Sequence, residues 1–180
     1  MQSIDFNDWK HYFITKVEEL FSGSEAENIL KQVNWDTWIF TPGLPPIKND
    51  FSNIYQIEAE SRASDIFNQK PKEDFPKVFE AWNTNVKLVF LGLIKKNLEN
   101  FTEENYTYMR DTLNLHTLYN SEIKNIWFQI ALNSNHSDVV PFVKEFLANI
   151  GRMKYIRPIY ASFAKLNKDD AYETFQANKY

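Results

Sequence analysis

The 180-residue chain contains no cysteine. Disulfides, thiolate-ligated zinc, iron–sulfur clusters and cysteine nucleophiles are therefore all excluded. The same absence fits a reducing compartment, and a cytoplasmic location is the expectation. Glycine is scarce, with 4 residues, and none are grouped as a phosphate-cradling loop requires. No apolar run approaches the roughly 20 residues of a membrane span. Met1 is followed by Gln-Ser-Ile-Asp-Phe, which lacks the basic and apolar regions of a signal peptide; no membrane partner is expected. Histidine is limited to His11, His116 and His136. None has a second histidine four residues on and no His-Glu-x-x-His is present, so no metal site is assigned within the chain. A Gly-x-Ser-x-Gly elbow is missing too. No residue is assigned a catalytic role, and the chain alone is not expected to be an enzyme.

Aromatic residues are abundant instead: 15 Phe, 9 Tyr and 5 Trp. They imply a core built on rings, in a chain long enough to bury one without a covalent staple. The net charge is −4, which argues against the broad basic face that nucleic acid requires. The charge is uneven, however. Residues 1–90 carry 9 basic and 14 acidic side chains, whereas residues 144–165 carry five basic residues against Glu145 alone.

The hydrophobic period is helical almost throughout. Asp5 can cap a first helix that places Phe6, Trp9, Phe13, Val17 and Leu20 on one face. Ser24 with Glu27 reads as a capping box for a second. Trp35–Phe40 reads as a short helical turn, ended by Thr41-Pro42-Gly43-Leu44-Pro45-Pro46. Further helices follow, with Ile54 and Ile57, then Val86, Val89, Phe90, Leu93 and Ile94, turned inward. The clearest stripe is Ile123, Ile126, Trp127 and Ile130, spaced i, i+3, i+4, i+7. Strand-type alternation does not compete. The spacing predicts one all-α domain over residues 1–180, of about nine or ten helices with short connections; the stretches 103–133 and 138–166 have the lengths of stacked helical hairpins.

Adjacent acids such as Glu18-Glu19, Glu103-Glu104 and Asp169-Asp170 point about 100° apart on a helix and cannot share a ligand; they read as solvated faces and first-turn charges. The segment Gly151-Arg152-Met153-Lys154-Tyr155-Ile156-Arg157-Pro158 is different. Three cations lie within it without an acid. One reading is a solvated connection between two helices. The other is a site for a carboxylate or phosphate, with Arg152 supplying a planar fork of donors and Lys154 a point charge. Two residues apart, they would diverge on a regular helix. The anion reading therefore needs a bend, and Gly151 is the residue that permits one. Arg157, next to Pro158, reads as a partner for a neighbouring acid or carbonyl.

Asp8-Trp9, then Trp35-x-x-Trp38-x-x-x-Pro42-Gly43-Leu44-Pro45-Pro46, then Asn120-Ser121-Glu122-Ile123, then Gly151-Arg152-Met153-Lys154-Tyr155-x-Arg157-Pro158 resemble, in order and rough spacing, the C-terminal domain of leukotriene A4 hydrolase and its aminopeptidase relatives. Residues 97–119 depart from that pattern. The resemblance implies an armadillo/HEAT-like right-handed helical solenoid packed beside a zinc peptidase domain of the same protein. It implies that Arg152 and Lys154 bind the substrate carboxylate, such as a free peptide C-terminus, and that the Pro42–Pro46 element and Trp35 and Trp38 lie near the junction with the catalytic domain. Zinc is expected in that upstream domain, and no cofactor in this chain. The parent protein is expected to be a zinc aminopeptidase. The alternative is a free-standing helical-repeat module that binds a partner protein.

Overall fold

Asparagine opens many of the helices. The computed structural model describes residues 3–50 and 52–179, and among them eleven α-helices and two one-turn 3-10 helices form, with no strand. The side chains of Asn34, Asn53, Asn83, Asn120 and Asn167 each accept a backbone N–H of the first turn that follows, satisfying donors the helix itself leaves unpaired. Thr102 does the same. A reciprocal capping box joins Asp5 and Asp8. The box expected at Ser24 and Glu27 does not form: the helix starts at Gly23, after Ser22, whose side chain makes no capping bond.

The chain separates into two compact units, Met1–Phe51 and Ser52–Tyr180. The first holds α1 (Phe6–Leu20), α2 (Gly23–Lys31) and α3 (Trp35–Ile39). Its heart is a ring cluster, with Trp35 meeting Phe6, Trp9 and Phe13 at centroid distances of 6.0, 5.8 and 5.6 Å. Much of this small unit stays open to solvent: Trp9, Trp38, Phe40 and Leu44 are exposed. Leu20, expected on the inner face of α1, is exposed at the end of its helix.

The second unit holds α4 (Ile54–Phe67), α5 (Phe75–Ala81), α6 (Thr84–Lys96), α7 (Glu103–Leu113), α8 (Ser121–Asn133), α9 (Val140–Asn149), α10 (Met153–Leu166) and α11 (Lys168–Asn178). Alternate helices pack on one another: α4 on α6, α6 on α8, and α8 on α10, with α11 against α10. The central position of α8 explains why it is apolar nearly all round. Ile123, Trp127, Phe128, Ile130, Ala131 and Leu132 are all buried, together with Asn125 and Gln129. The Gln129 amide donates to the backbone and side-chain oxygens of Asn125 and accepts from Lys95.

In the second unit Ile54, Ile57 and Val89, read as inward, prove exposed. On α4 the buried stripe is Ala59, Arg62, Ala63 and Ile66, spaced i, i+3, i+4, i+7. Small side chains let α4 approach α6 closely, and the isoleucines of its first turn lie off that face. The count of eleven α-helices includes the five-residue turn Trp35–Ile39.

Candidate functional site

The cationic segment forms the junction between α9 and α10. Ile150, the C-cap of α9, is extended (φ −125°, ψ 125°). Gly151 does not adopt a positive φ; among the described glycines only Gly43 does, at 124°. The residues on either side of Gly151, Ile150 and Arg152, are extended, and the junction uses no left-handed residue. Arg152 is the N-cap of α10, and its carbonyl accepts the N–H groups of Tyr155 and Ile156 at 2.9 and 3.1 Å. This sets Lys154 and Tyr155 in the first turn, and that turn contains no acid.

Cations at a helix N-terminus add to the positive end of the helix dipole rather than opposing it. Here a neighbouring helix supplies the offset. The Asn120 cap fixes the first turn of α8 by accepting the N–H groups of Glu122 and Ile123, and the packing of α8 on α10 brings Glu122 across. Lys154 Nζ donates to Glu122 Oε1 and Oε2 at 2.6 and 2.7 Å. The Tyr155 hydroxyl donates to Glu122 Oε1 at 2.8 Å and accepts from Arg152 Nη1 at 3.3 Å. The result is a continuous chain from Arg152 through Tyr155 to Glu122 and Lys154. Both cations also lie against the Tyr155 ring, at 5.4 Å for Arg152 and 5.6 Å for Lys154. The hydrogen bond from Lys154, then that from Tyr155, holds the Glu122 carboxyl below its ordinary range.

Arg152 and Lys154 thus both lie, exposed, against one buried tyrosine. Their roles differ. Lys154 is engaged by Glu122. Among the described residues the Arg152 guanidinium makes one hydrogen bond, to Tyr155, which leaves most of its five donors unengaged. Sequence reasoning quoted Glu122 and Tyr155 within their motifs but gave neither a function. The available signal was an acid in the first turn of the most buried helix, which is an ordinary N-terminal position.

Arg157 does not behave as expected. It makes no ion pair or hydrogen bond among the described residues. It borders an open groove of about 480 Å³ between α10 and α11, lined by Met153, Ile156, Tyr160, Tyr172 and Phe175. Pro158 sits inside α10. No group of three or more His, Cys, Asp or Glu able to hold a metal ion occurs among the described residues. None of the described helices is long and apolar enough to cross a membrane.

The described residues are all-α, with a tyrosine-backed pair of cations at one helix junction. Residues 82–180 match the model of the leukotriene A4 hydrolase C-terminal family, and the chain belongs to that family. The matched span includes residues 97–119, which the motif pattern left out. The chain is 31% identical to leucine aminopeptidase 2 of Aspergillus oryzae over 183 residues, covering 99% of this chain and 29% of that protein. It is 32% identical to leucine aminopeptidase 2 of Ajellomyces capsulatus over 163 residues, covering 88% and 26%. It therefore spans less than a third of the length of these relatives. Among solved structures, yeast leukotriene A4 hydrolase in complex with bestatin superposes with a TM-score of 0.78 at 21% identity, covering 98% of this chain and 31% of that one. Native leukotriene A4 hydrolase from Saccharomyces cerevisiae gives 0.76 at 21% identity, covering 93% and 30%. At this identity the superpositions establish the all-α fold.

Proposed function

We propose that the chain as a whole serves as the non-catalytic C-terminal helical domain of a cytoplasmic zinc aminopeptidase. In this reading it walls the active-site cleft of a zinc peptidase domain in the same protein and binds the free C-terminal carboxylate of a peptide substrate. The observation that carries the reading is the gathering of Arg152 and Lys154 around Tyr155 at the acid-free first turn of α10, in a chain of this family. Arg152 is the primary carboxylate ligand, because its single bond to Tyr155 leaves most of its donors open. Lys154 adds long-range attraction and fixes Glu122. The zinc and the general base belong to the catalytic domain, outside these residues.

The chemistry asked of the chain is binding and orientation. A carboxylate held by a charge-assisted hydrogen bond gains about 1.5–3 kcal/mol. Holding the far end of a short peptide positions its scissile bond. In the full-length protein that carries this chain, Arg152→Ala is expected to lower kcat/KM on tripeptides about 10–100-fold. Tripeptide amides, which lack the carboxylate, should be little affected. Equal kinetics of the variant and the unmodified protein on free tripeptides would overturn the clamp.

A further inference from the structure

The clamp contains its own carboxylate. Glu122 accepts three hydrogen bonds, two from Lys154 and one from Tyr155, all between 2.6 and 2.8 Å. Arg152, Lys154 and Glu122 together carry a net charge of one positive unit rather than two. Lys154 has spent two of its three ammonium donors on Glu122, whereas Arg152 keeps most of its five, and a guanidinium fork matches one carboxylate in a bidentate pair. A second carboxylate on the same ligand would meet Lys154 already engaged and the charge of Glu122 beside it. Like-charge juxtaposition of this kind rejects a ligand without contributing contacts to the accepted one.

We infer that Glu122 is a specificity-determining residue: by occupying Lys154 it limits the clamp to a single incoming carboxylate on Arg152, and so selects peptides with a neutral C-terminal residue against those ending in Asp or Glu. The inference rests on the clamp reading above. Glu122 makes no direct bond to the bound carboxylate in this scheme. It acts through Lys154, through Tyr155 and through its charge.

The test uses the full-length protein and three tripeptides that differ only at the third position: Ala, Asp, and Ala with an amidated C-terminus. The readout is the ratio of kcat/KM for the Asp-ended over the Ala-ended peptide. Glu122→Gln keeps the shape and an acceptor for Tyr155 while removing the charge. It is expected to raise the ratio about three- to fivefold, the size of one exposed ion pair, with the change in KM rather than kcat. Glu122→Asp, which keeps the charge, should hold the ratio near its starting value. Lys154→Gln should move the ratio the other way, because Glu122 is then left uncompensated; this variant carries the test if Glu122→Gln fails to fold. A ratio that ignores both Glu122→Gln and Lys154→Gln overturns the inference. The Arg152→Ala variant separates the two levels. If it abolishes the preference for the free over the amidated peptide while the Asp/Ala ratio ignores Glu122, the clamp stands and the inference falls. If it leaves that preference intact, the clamp falls and the inference falls with it.

Discussion

The Tyr155 hydroxyl donates to Glu122 at 2.8 Å while its ring lies buried between α10 and the core. One side chain thus links the packing of the second unit to its charged surface. Tyr155→Phe keeps the ring and removes the link between Arg152 and Glu122. The expected cost is about 1 kcal/mol in urea unfolding, the typical net value of one hydrogen bond, with the ring contacts of both cations retained. In the full-length protein the same variant should weaken discrimination between free and amidated tripeptides by a smaller factor than Arg152→Ala, since the guanidinium survives without its anchor.

A second cluster predicts how stability responds to pH. The imidazole of His136 stacks on Tyr106 with centroids 3.5 Å apart, and Tyr106 in turn stacks on Trp127 at 5.4 Å. Burial, only partly opposed by Glu103 and Asp138, holds His136 below the ordinary histidine value. The folded protein therefore binds this proton less readily than the unfolded chain. Stability conferred by the neutral ring is fully present above the unfolded pKa, near 6.5, and declines as pH falls from there toward the folded pKa. His116, also lowered chiefly by burial, adds a slope of the same sign. His136→Phe preserves a ring for the stack and removes one titration. Unfolding midpoints measured from pH 7.5 down to 5 should fall less steeply in the variant than in the parent chain.

The glycines give a prediction in which motif and geometry disagree. Gly151 stands in the segment that carries the site, yet its φ is not positive, and a β-carbon there would meet nothing within 4 Å. Gly151→Ala should leave the fold intact and add about 0.4–1 kcal/mol by restricting the unfolded chain. Gly43 is the contrast. At φ 124° between Pro42 and Leu44 it occupies a region closed to L side chains. Gly43→Ala should cost about 1–3 kcal/mol of local strain, despite equal open space around it. Urea midpoints of the two single variants decide the matter, and they should move in opposite directions.

This contrast shows what the sequence could and could not reveal. Helix existence was legible, because capping residues and the 3.6 period agree with each other: the stripe of Ile123, Trp127 and Ile130 is buried as read, and Asn120 and Asn167 open their helices. Ile54 and Ile57 misled because α4 packs through alanines, so its apolar first turn faces solvent. That Arg152 and Lys154 lie near the same ring was legible from their closeness in the chain. Their partner was not. Glu122 lies 32 residues from Lys154, and only the packing of α8 on α10 turns a routine first-turn acid into the counter-charge of the site. The bend was assigned to Gly151, whose φ is not positive, because local sequence marks the residue that permits a turn and not the one that makes it.

The last prediction concerns a buried arginine that pattern reading could not assign to a core. Arg62 is 7% exposed. Its Nη1 and Nη2 donate to the two carboxylate oxygens of Asp74 at 2.9 and 3.1 Å, and its guanidinium lies 5.5 Å from the Phe75 ring centre. The aliphatic stem fills the α4 stripe while the planar head pins the N-cap residue of α5. Arg62→Ala loses both packing and the forked bond, and about 2–3 kcal/mol is the expected cost. Arg62→Lys should recover little of it, since an ammonium cannot make the two parallel bonds or stack. The hydrogen bond from Arg62 holds the Asp74 carboxyl below the ordinary range. A carboxyl with a depressed folded pKa contributes stability above its unfolded pKa and loses it as pH falls through the folded value. Asp74→Asn should therefore flatten the acid limb of the stability curve below about pH 4, while leaving the histidine-dependent slope nearer pH 6 unchanged. An acid limb of unaltered steepness in that variant would show that the Arg62–Asp74 pair contributes no linkage to folding.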